Sequence, residues 1–339
     1  MERHRIVIVA AGVIAIFIIG LVLRLAKPVL FPFFLALFIY FILSPVLDFL
    51  TRMKIPRAIS LIFILLVSFL ILYLLGYLFY SSGKSFAAGF PEYGDKISSL
   101  FKSLQGKLKI AGLKWDPLAW AGNLDIDKVG SFLLGSLGTF FSFLANLFLV
   151  FIFLMFMLAG RGKLQVKISH SFNPAKASQL IVILQNIDHQ VQKYLAIKTI
   201  ISLFSGILTT VILIIFGVDF AIVFGFLTFL LNYIPNIGSF ISKVIPILFA
   251  FFQFGKFWPV FWLLLILTAV DGIVSMVIEP RLMGQGLGLS PLVVLFALFF
   301  WGWLWGIPGM ILAVPIMAVM KIALSNIPSL RFLEALMSK

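Results

Sequence analysis

The sequence predicts an all-α integral membrane protein, and three observations carry that expectation. Of the 339 residues, 62% are hydrophobic and only 11% charged, against about 25% charged in an ordinary soluble domain. Most of the apolar residues fall in runs long enough to cross a hydrocarbon core of about 30 Å, which takes about 20 helical residues at 1.5 Å each. The basic residues, which give a formal charge of +14, lie in the gaps between those runs instead of forming one face, so they report topology and call for no nucleic-acid partner. In full, the expectation is about six transmembrane helices plus two helical hairpins broken by proline and glycine, seven to eight crossings as usually counted.

The elements follow in order. The first span is Ile6 to Leu23. It follows Arg3 and Arg5 like a signal peptide, but its apolar run is too long and no small-residue cleavage site follows, so it is expected to be retained. The second, Pro28 to about Leu50, carries Pro28, Pro32 and Pro45 and is expected to bend where backbone hydrogen bonds are lost. The third covers Ala58 to Tyr80. Between Ser81 and about Gly130 the composition turns mixed, and Ile97, Leu100, Phe101, Leu104 and Leu108 recur at helical spacing, marking an amphipathic helix. Span four, Phe132 to Leu158, is stopped by Gly160-Arg161-Gly162-Lys163. In the polar stretch that follows, Asn173-Pro174 reads as an N-cap with proline at the first helical position, opening a helix with an apolar stripe through Leu180, Leu184, Ile187 and Val191. Span five is Ala196 to Phe216.

Two later segments are too long for one crossing. Asp219 to Phe254 and Ser290 to Lys321 would measure about 54 and 48 Å as straight helices. Each is broken near its middle by an Ile-Pro dipeptide and a nearby glycine, Ile234-Pro235-Asn236-Ile237-Gly238 in one and Gly306-Ile307-Pro308-Gly309 in the other. Each therefore reads as a pair of shorter helices joined at a tip. An ordinary span, Phe257 to Ile278, separates them. A span followed by a hairpin thus occurs twice, in opposite orientations, the order of an inverted repeat.

Basic residues set the orientation. With the N-terminus inside, the cytoplasmic set includes Arg52, Lys54, Arg57, Arg161, Lys163, Lys167, Lys176, Arg281, Lys321 and Arg331, whereas the short outside loops hold only Arg24, Lys27 and Lys256, in keeping with the excess of Lys and Arg on cytoplasmic loops. Both termini come out cytoplasmic. The divisions are 1–80 with three helices, an extracytoplasmic segment 81–131, a fourth helix 132–159, a cytoplasmic helical segment 160–195, a core 196–321 with both hairpins, and a cytoplasmic tail 322–339.

Several chemistries are missing. There is no cysteine, hence no disulfide or thiolate ligand. His4, His170 and His189 lie outside the spans, and neither HExxH nor a P-loop occurs. No catalytic centre, metal site or cofactor is expected, and energy, if used, comes from gradients. What remains are polar groups at membrane depth. Asp271 lies well inside its span, where an ionised group is costly unless paired or hydrated, and Glu279 follows eight residues later, a little over two turns on. The two form either a proton or cation track or a structural pair of tethers, Asp271 to Lys243 or a backbone amide and Glu279 to Arg281. At the first tip Asn232, Tyr233, Asn236 and Ser239 surround Pro235, with Gly238 one turn on; the second tip offers Gly306, Pro308 and Gly309. Helix ends inside a bilayer need partners from protein, water or substrate, so these tips are candidate lining of a solute path; the competing reading is packing kinks. Trp258, Trp262, Trp301, Trp303 and Trp305 read as interfacial or packing residues.

The stretches LLNYIPNIGSFI and IEPRLMGQGLGLSPLVVLFALFFWGWLWGIPGMILAVPIMAVMKI, with the earlier PFFLALFIYFILSPVLDFL and IPR, resemble the signature of the autoinducer-2 exporter family, also called PerM-like permeases. The resemblance covers nearly the whole chain and is weakest from Ser81 to Gly130 and after Gly160. The residues that match its motifs are Pro235, Gly238, Pro280, Gly284, Leu289, Pro291, Gly306, Gly309 and Pro315; Lys243 and Trp301 depart from them. The resemblance implies a multi-pass protein of the cell (inner) membrane, homo-oligomeric, exporting autoinducer-2 in some members and exchanging sodium for protons in others. The resulting expectation is a gradient-driven permease of small polar solutes, with membrane lipid, a solute and H+ or Na+ as its partners and Asp271 as coupling carboxylate. A sodium–proton antiporter and a non-transporting scaffold remain the alternatives, and Lys243 beside the first tip counts against a cation there.

Overall fold

The computed structural model of the protein describes residues 18, 20–74, 76–77, 81, 147–235, 237–283, 288–325 and 331–338. Among the described residues every extended element is a helix, and six helices are long and apolar enough to cross a membrane. The greater part of the first span, the amphipathic helix at 97–108, the segment 82–131, the first half of span four, Asn236 and the loop 284–287 lie outside the described residues. The chain forms two compact units, one of residues 1–66, 146–198 and 283–339 and one of 67–145 and 199–282.

In the first unit, α1 (Lys27–Arg52) is one continuous helix despite Pro32 and Pro45 inside it. Pro45 has no amide to offer the Phe41 carbonyl, and the Ser44 hydroxyl turns back to that carbonyl at 3.5 Å. The helix ends with Lys54 in the left-handed region (φ 65), its N–H donating to Thr51 and that of Ile55 to Leu50, the wrapped C-terminus usually built on glycine. Next come α2 (Arg57–Leu74) and α3 (Leu147–Gly160). Ala36 and Leu47 of α1, Ile64 of α2, and Val150, Leu154 and Leu158 of α3 form one buried cluster. The Gly160–Lys163 stop acts as expected. The chain leaves α3 and turns by 59° into α4 (Lys163–Ser171), and Arg57 donates to the carbonyls of Leu158 and Arg161, covering acceptors that a helix end leaves open. Arg161 itself reaches Asp48 at 2.7 Å and the Tyr40 hydroxyl at 3.2 Å. Nothing in the spacing of these residues announced that cluster.

The Asn173 cap is present, its Oδ1 accepting from the Lys176 N–H at 2.9 Å. The helix it opens, α5 (Pro174–Ile215), runs 42 residues without a break, so the cytoplasmic helix and span five expected separately are one rod, and the division between the units falls inside it. No Gly or Pro stands between Ala175 and Ser205, so nothing interrupts the ladder.

The second unit contains the remainder of α5, α6 (Ala221–Leu231), α7 (Ile237–Phe254) and α8 (Phe257–Ile273). α6 and α7 are the first expected hairpin. Phe220 and Phe224 meet Phe249 at ring separations of 5.7 and 5.3 Å, so the start of one arm lies beside the end of the other. α5 packs on α6 through Gly206 and Gly225: a Cβ on Gly206 would sit 2.7 Å from the Gly225 carbonyl oxygen. The span expected to be ordinary is not. α8 passes through a π-helical turn, Val274–Ile278, before Glu279–Met283. Pro280 explains it, because a proline clashes with the carbonyl four residues back and a wider turn relieves that contact.

In the first unit again, α9 (Pro291–Trp305) and α10 (Ile307–Ser325) make the second hairpin, with Gly306 at φ 77 between them. α11 (Arg331–Met337) gives the expected tail a folded end: Met337 is buried with Leu289 and Val314, and its carbonyl accepts from the Ser290 N–H at 2.8 Å.

Candidate functional site

A helical arm of 11 residues such as α6 is about 16 Å long, half of what a bilayer requires. Wherever such a tip meets hydrocarbon, every backbone and side-chain polar group in it must be met by protein or water. The tip shows how this is done. The backbone coils tightly from Asn232 to Gly238, with Ile234 N–H donating to Leu231, Ile237 to Pro235 and Gly238 to Ile234. Gly238 is required by contact, since a Cβ there would run into the Leu231 carbonyl. Polar side chains then meet across elements. Asn232, only 5% exposed, donates through Nδ2 to Ser202 Oγ at 3.2 Å and accepts at Oδ1 from the Ser239 hydroxyl at 3.4 Å. Tyr233 donates its hydroxyl to Thr199 Oγ1 at 2.8 Å. One turn beyond Ser202, the buried Ser205 hydroxyl has no partner among the described residues.

The structure thus brings together Asn232, Tyr233, Gly238 and Ser239 of the sequence-derived set and joins to them Thr199 and Ser202 of α5, which sequence reasoning missed along with Ser205 one turn further on. A signal was available: those three are the hydroxyl residues of an otherwise apolar stretch at i, i+3 and i+6, one helix face. Pro235 supplies a tip carbonyl, and its neighbour Asn236 lies outside the described residues.

Asp271 is held by Lys243, with Nζ and Oδ2 at 2.6 Å and the side chains 22% and 25% exposed respectively. The pair joins α7, about two turns past the tip, to α8. Of the sequence alternatives for Asp271, the lysine tether is the one present in this conformation. Glu279 stands beyond the π turn. Eight α-helical residues overshoot two turns by about 0.8 residue, and a π turn absorbs one extra residue, so the widened turn rotates Glu279 back onto the face of Asp271.

The second tip is differently furnished. Gly309 lies against the Trp301 carbonyl as Gly238 lies against Leu231, and Gly306 donates to Gly302 at 2.8 Å. Pro308 is exposed and Gly309 buried. In place of polar groups there is an aromatic block: Trp301 and Trp305 rings 4.8 Å apart, with Phe34 of α1 5.3 Å from Trp305. Trp301 and Trp305 are therefore packing residues, whereas Trp258, Trp262 and Trp303 are exposed, as interfacial or lipid-facing tryptophans are.

A helical protein in which six helices among the described residues are long and apolar enough to cross a bilayer is a multi-pass membrane protein. The comparisons agree. A family model described as AI-2E family transporter matches residues 7–329. The AI-2 transport protein TqsA of Escherichia coli K12 is 33% identical over 322 residues, covering 94% of this chain and 92% of its own. A Haemophilus influenzae protein with a provisional transport-protein name is 34% identical over 335 residues, with coverage of 97% and 94%. YhhT of Escherichia coli K12, also provisionally named as a transport protein, is 30% identical over 299 residues, with coverage of 88% and 84%. The chain belongs to the AI-2E transporter family.

Proposed function

We propose that the protein is a gradient-driven permease of small polar solutes in the cell membrane, and that the tip of the first hairpin lines its path. The observation that carries this reading is the tip network: Asn232, Tyr233 and Ser239 bond with one another and with Thr199 and Ser202 of α5 at the end of α6, and one turn further along α5 the buried Ser205 hydroxyl has no partner among the described residues. A buried hydroxyl left over next along the helix from such a network is what a solute able to donate and accept hydrogen bonds would complete. Autoinducer-2, named for the relative TqsA, has that chemistry.

Coupling is assigned to Asp271. While Lys243 holds it at 2.6 Å, the lysine occupies the place a coupling cation would take. A cycle that separates α7 from α8 strips Asp271 of its lysine and leaves that place open to a coupling ion, because a carboxylate at membrane depth is costly without a partner. Glu279, on the same face nearer the helix end, is the proposed next acceptor. This arrangement favours proton-coupled solute movement over sodium–proton antiport, because the lysine competes for the sodium position. The assembly is proposed to be a homo-oligomer with both termini cytoplasmic.

The test is reconstitution of the purified chain in proteoliposomes under imposed pH or sodium gradients. Uptake or release of autoinducer-2 that follows the pH gradient and is lost in Asn232→Leu supports the reading. Sodium-dependent proton release without solute movement favours the antiporter, and no flux of either kind leaves the scaffold.

A further inference from the structure

We propose that α4, Lys163–Ser171, is a docking surface for the anionic phospholipid headgroups of the membrane, with the cations of its outer face set against lipid phosphates. The helix begins two residues after the end of α3 and is turned from it by 59°. A segment leaving a membrane-spanning helix at that angle is directed along the interface instead of straight into water. At about 100° per residue, Lys163, Lys167 and His170 fall within an arc of about 60°, and all three are exposed. Leu164 and Val166, each 56% exposed, flank that arc on either side, while Gln165 and Ile168 on the far side are partly buried.

Charge and apolarity together select the occupant. Between Arg161 and Asp188 the chain contains no acidic residue, and among the described residues neither Lys163 nor Lys167 has a carboxylate partner. A basic face of this kind alone would suit any polyanion. Exposed leucine and valine beside the lysines do not suit a nucleic acid or a soluble acidic protein, whereas at the headgroup level the lysines meet phosphate and the apolar side chains reach the glycerol and upper acyl region. Phe172, 49% exposed in extended backbone just after the helix, adds a ring at the same margin. Each lysine near an anionic surface strengthens partitioning roughly fivefold, so two give about 25-fold at low salt, less at physiological ionic strength.

The test uses the full chain, which has no native cysteine. A Leu164→Cys variant carrying an environment-sensitive fluorophore is placed in nanodiscs of phosphatidylcholine alone or with a third phosphatidylglycerol. The expected result is blue-shifted emission and protection from an aqueous quencher only in the anionic discs, reversed by molar salt and lost in Lys163→Gln/Lys167→Gln. Identical emission and quenching in both lipids at every salt concentration overturns the proposal, with no reference to the lysine variant and so independently of whether that variant folds. Blue-shifted emission insensitive to salt and to both substitutions also overturns it, since insertion is then apolar and the lysines play no part.

Discussion

The Lys243–Asp271 pair makes a quantitative prediction through a double-mutant cycle. At the observed 2.6 Å and an effective dielectric of about 20, the attraction is about 6 kcal/mol before desolvation is charged against it. Breaking a fully buried pair from one side costs about 3–5 kcal/mol. With side chains 22% and 25% exposed, the pair is only partly buried, and we scale that to about 2–3 kcal/mol for Asp271→Asn or Lys243→Met alone. Removing both charges leaves nothing to strand, so the double variant should lie within about 1 kcal/mol of the parent, giving a coupling energy of about 3–6 kcal/mol. The assay is reversible unfolding in mixed micelles followed by tryptophan fluorescence, with pH held near neutrality. Singles that add, with coupling below about 0.5 kcal/mol, would refute the claim that this contact exists in the membrane. The two variants also part functionally. Asp271→Asn removes the group proposed to carry the proton, so flux should lose its dependence on the pH gradient, whereas Lys243→Met leaves the carboxylate in place and flux should keep that dependence.

Other substitutions report on the scaffold. Asn232→Leu strands the hydroxyls of Ser202 and Ser239 and should cost about 1–3 kcal/mol in the same unfolding assay, while Asn232→Gln, which keeps an amide, should cost less. Gly238→Ala and Gly309→Ala each drive a methyl into a facing backbone carbonyl, so each should lower the folded yield by forcing its tip open, read as a loss of monodisperse protein on size exclusion at an expected cost of about 2 kcal/mol or more. Lys54→Gly relieves a left-handed backbone at φ 65 and should stabilise by about 1 kcal/mol, a gain visible as a higher unfolding midpoint.

Sequence patterning recovered the elements whose cause is local. The hairpins announced themselves because 36-odd apolar residues exceed any bilayer and an Ile-Pro dipeptide breaks each run. Asn173 announced a cap because amide and proline stood at the required spacing. What escaped was non-local. Ser202 meets Asn232 across 30 residues of chain, and Arg161 meets Asp48 across 113; nothing in either neighbourhood names the partner. The π turn escaped for a different reason: Pro280 signals a disturbed ladder, but whether the helix kinks, stops or widens depends on neighbours. The fused α5 escaped because polar composition reads as a break, when a change of solvent does not by itself interrupt hydrogen bonding along a helix.

The two hairpins share a construction that their sequences barely reveal. In each, a glycine early in the second arm packs on a carbonyl near the end of the first, Gly238 on Leu231 and Gly309 on Trp301. In each, a long polar side chain near the end of the second arm closes the base by donating to a glycine carbonyl ahead of the first: Gln253 Nε2 to Gly217 at 2.8 Å, Lys321 Nζ to Gly288 at 2.7 Å. Tip contact and base clasp recur in the same order, as two copies of one ancestral hairpin would retain them after their side chains diverged. The two tips differ in chemistry. One has an amide, a phenol and the hydroxyls of Thr199, Ser202 and Ser239 about it, while the other has Trp301, Trp305 and Phe34. A ring block offers few directional contacts to a solute, Trp305 spending its Nε1–H on the Leu23 carbonyl at 3.4 Å, but it resists deformation, because aromatic packing is dense and short of rotamers. On the proposed function, solute selection therefore belongs to the first tip, and substitutions that change solute preference in the reconstituted flux assay should fall there, at Asn232 and Ser202, and at Ser205 one turn on.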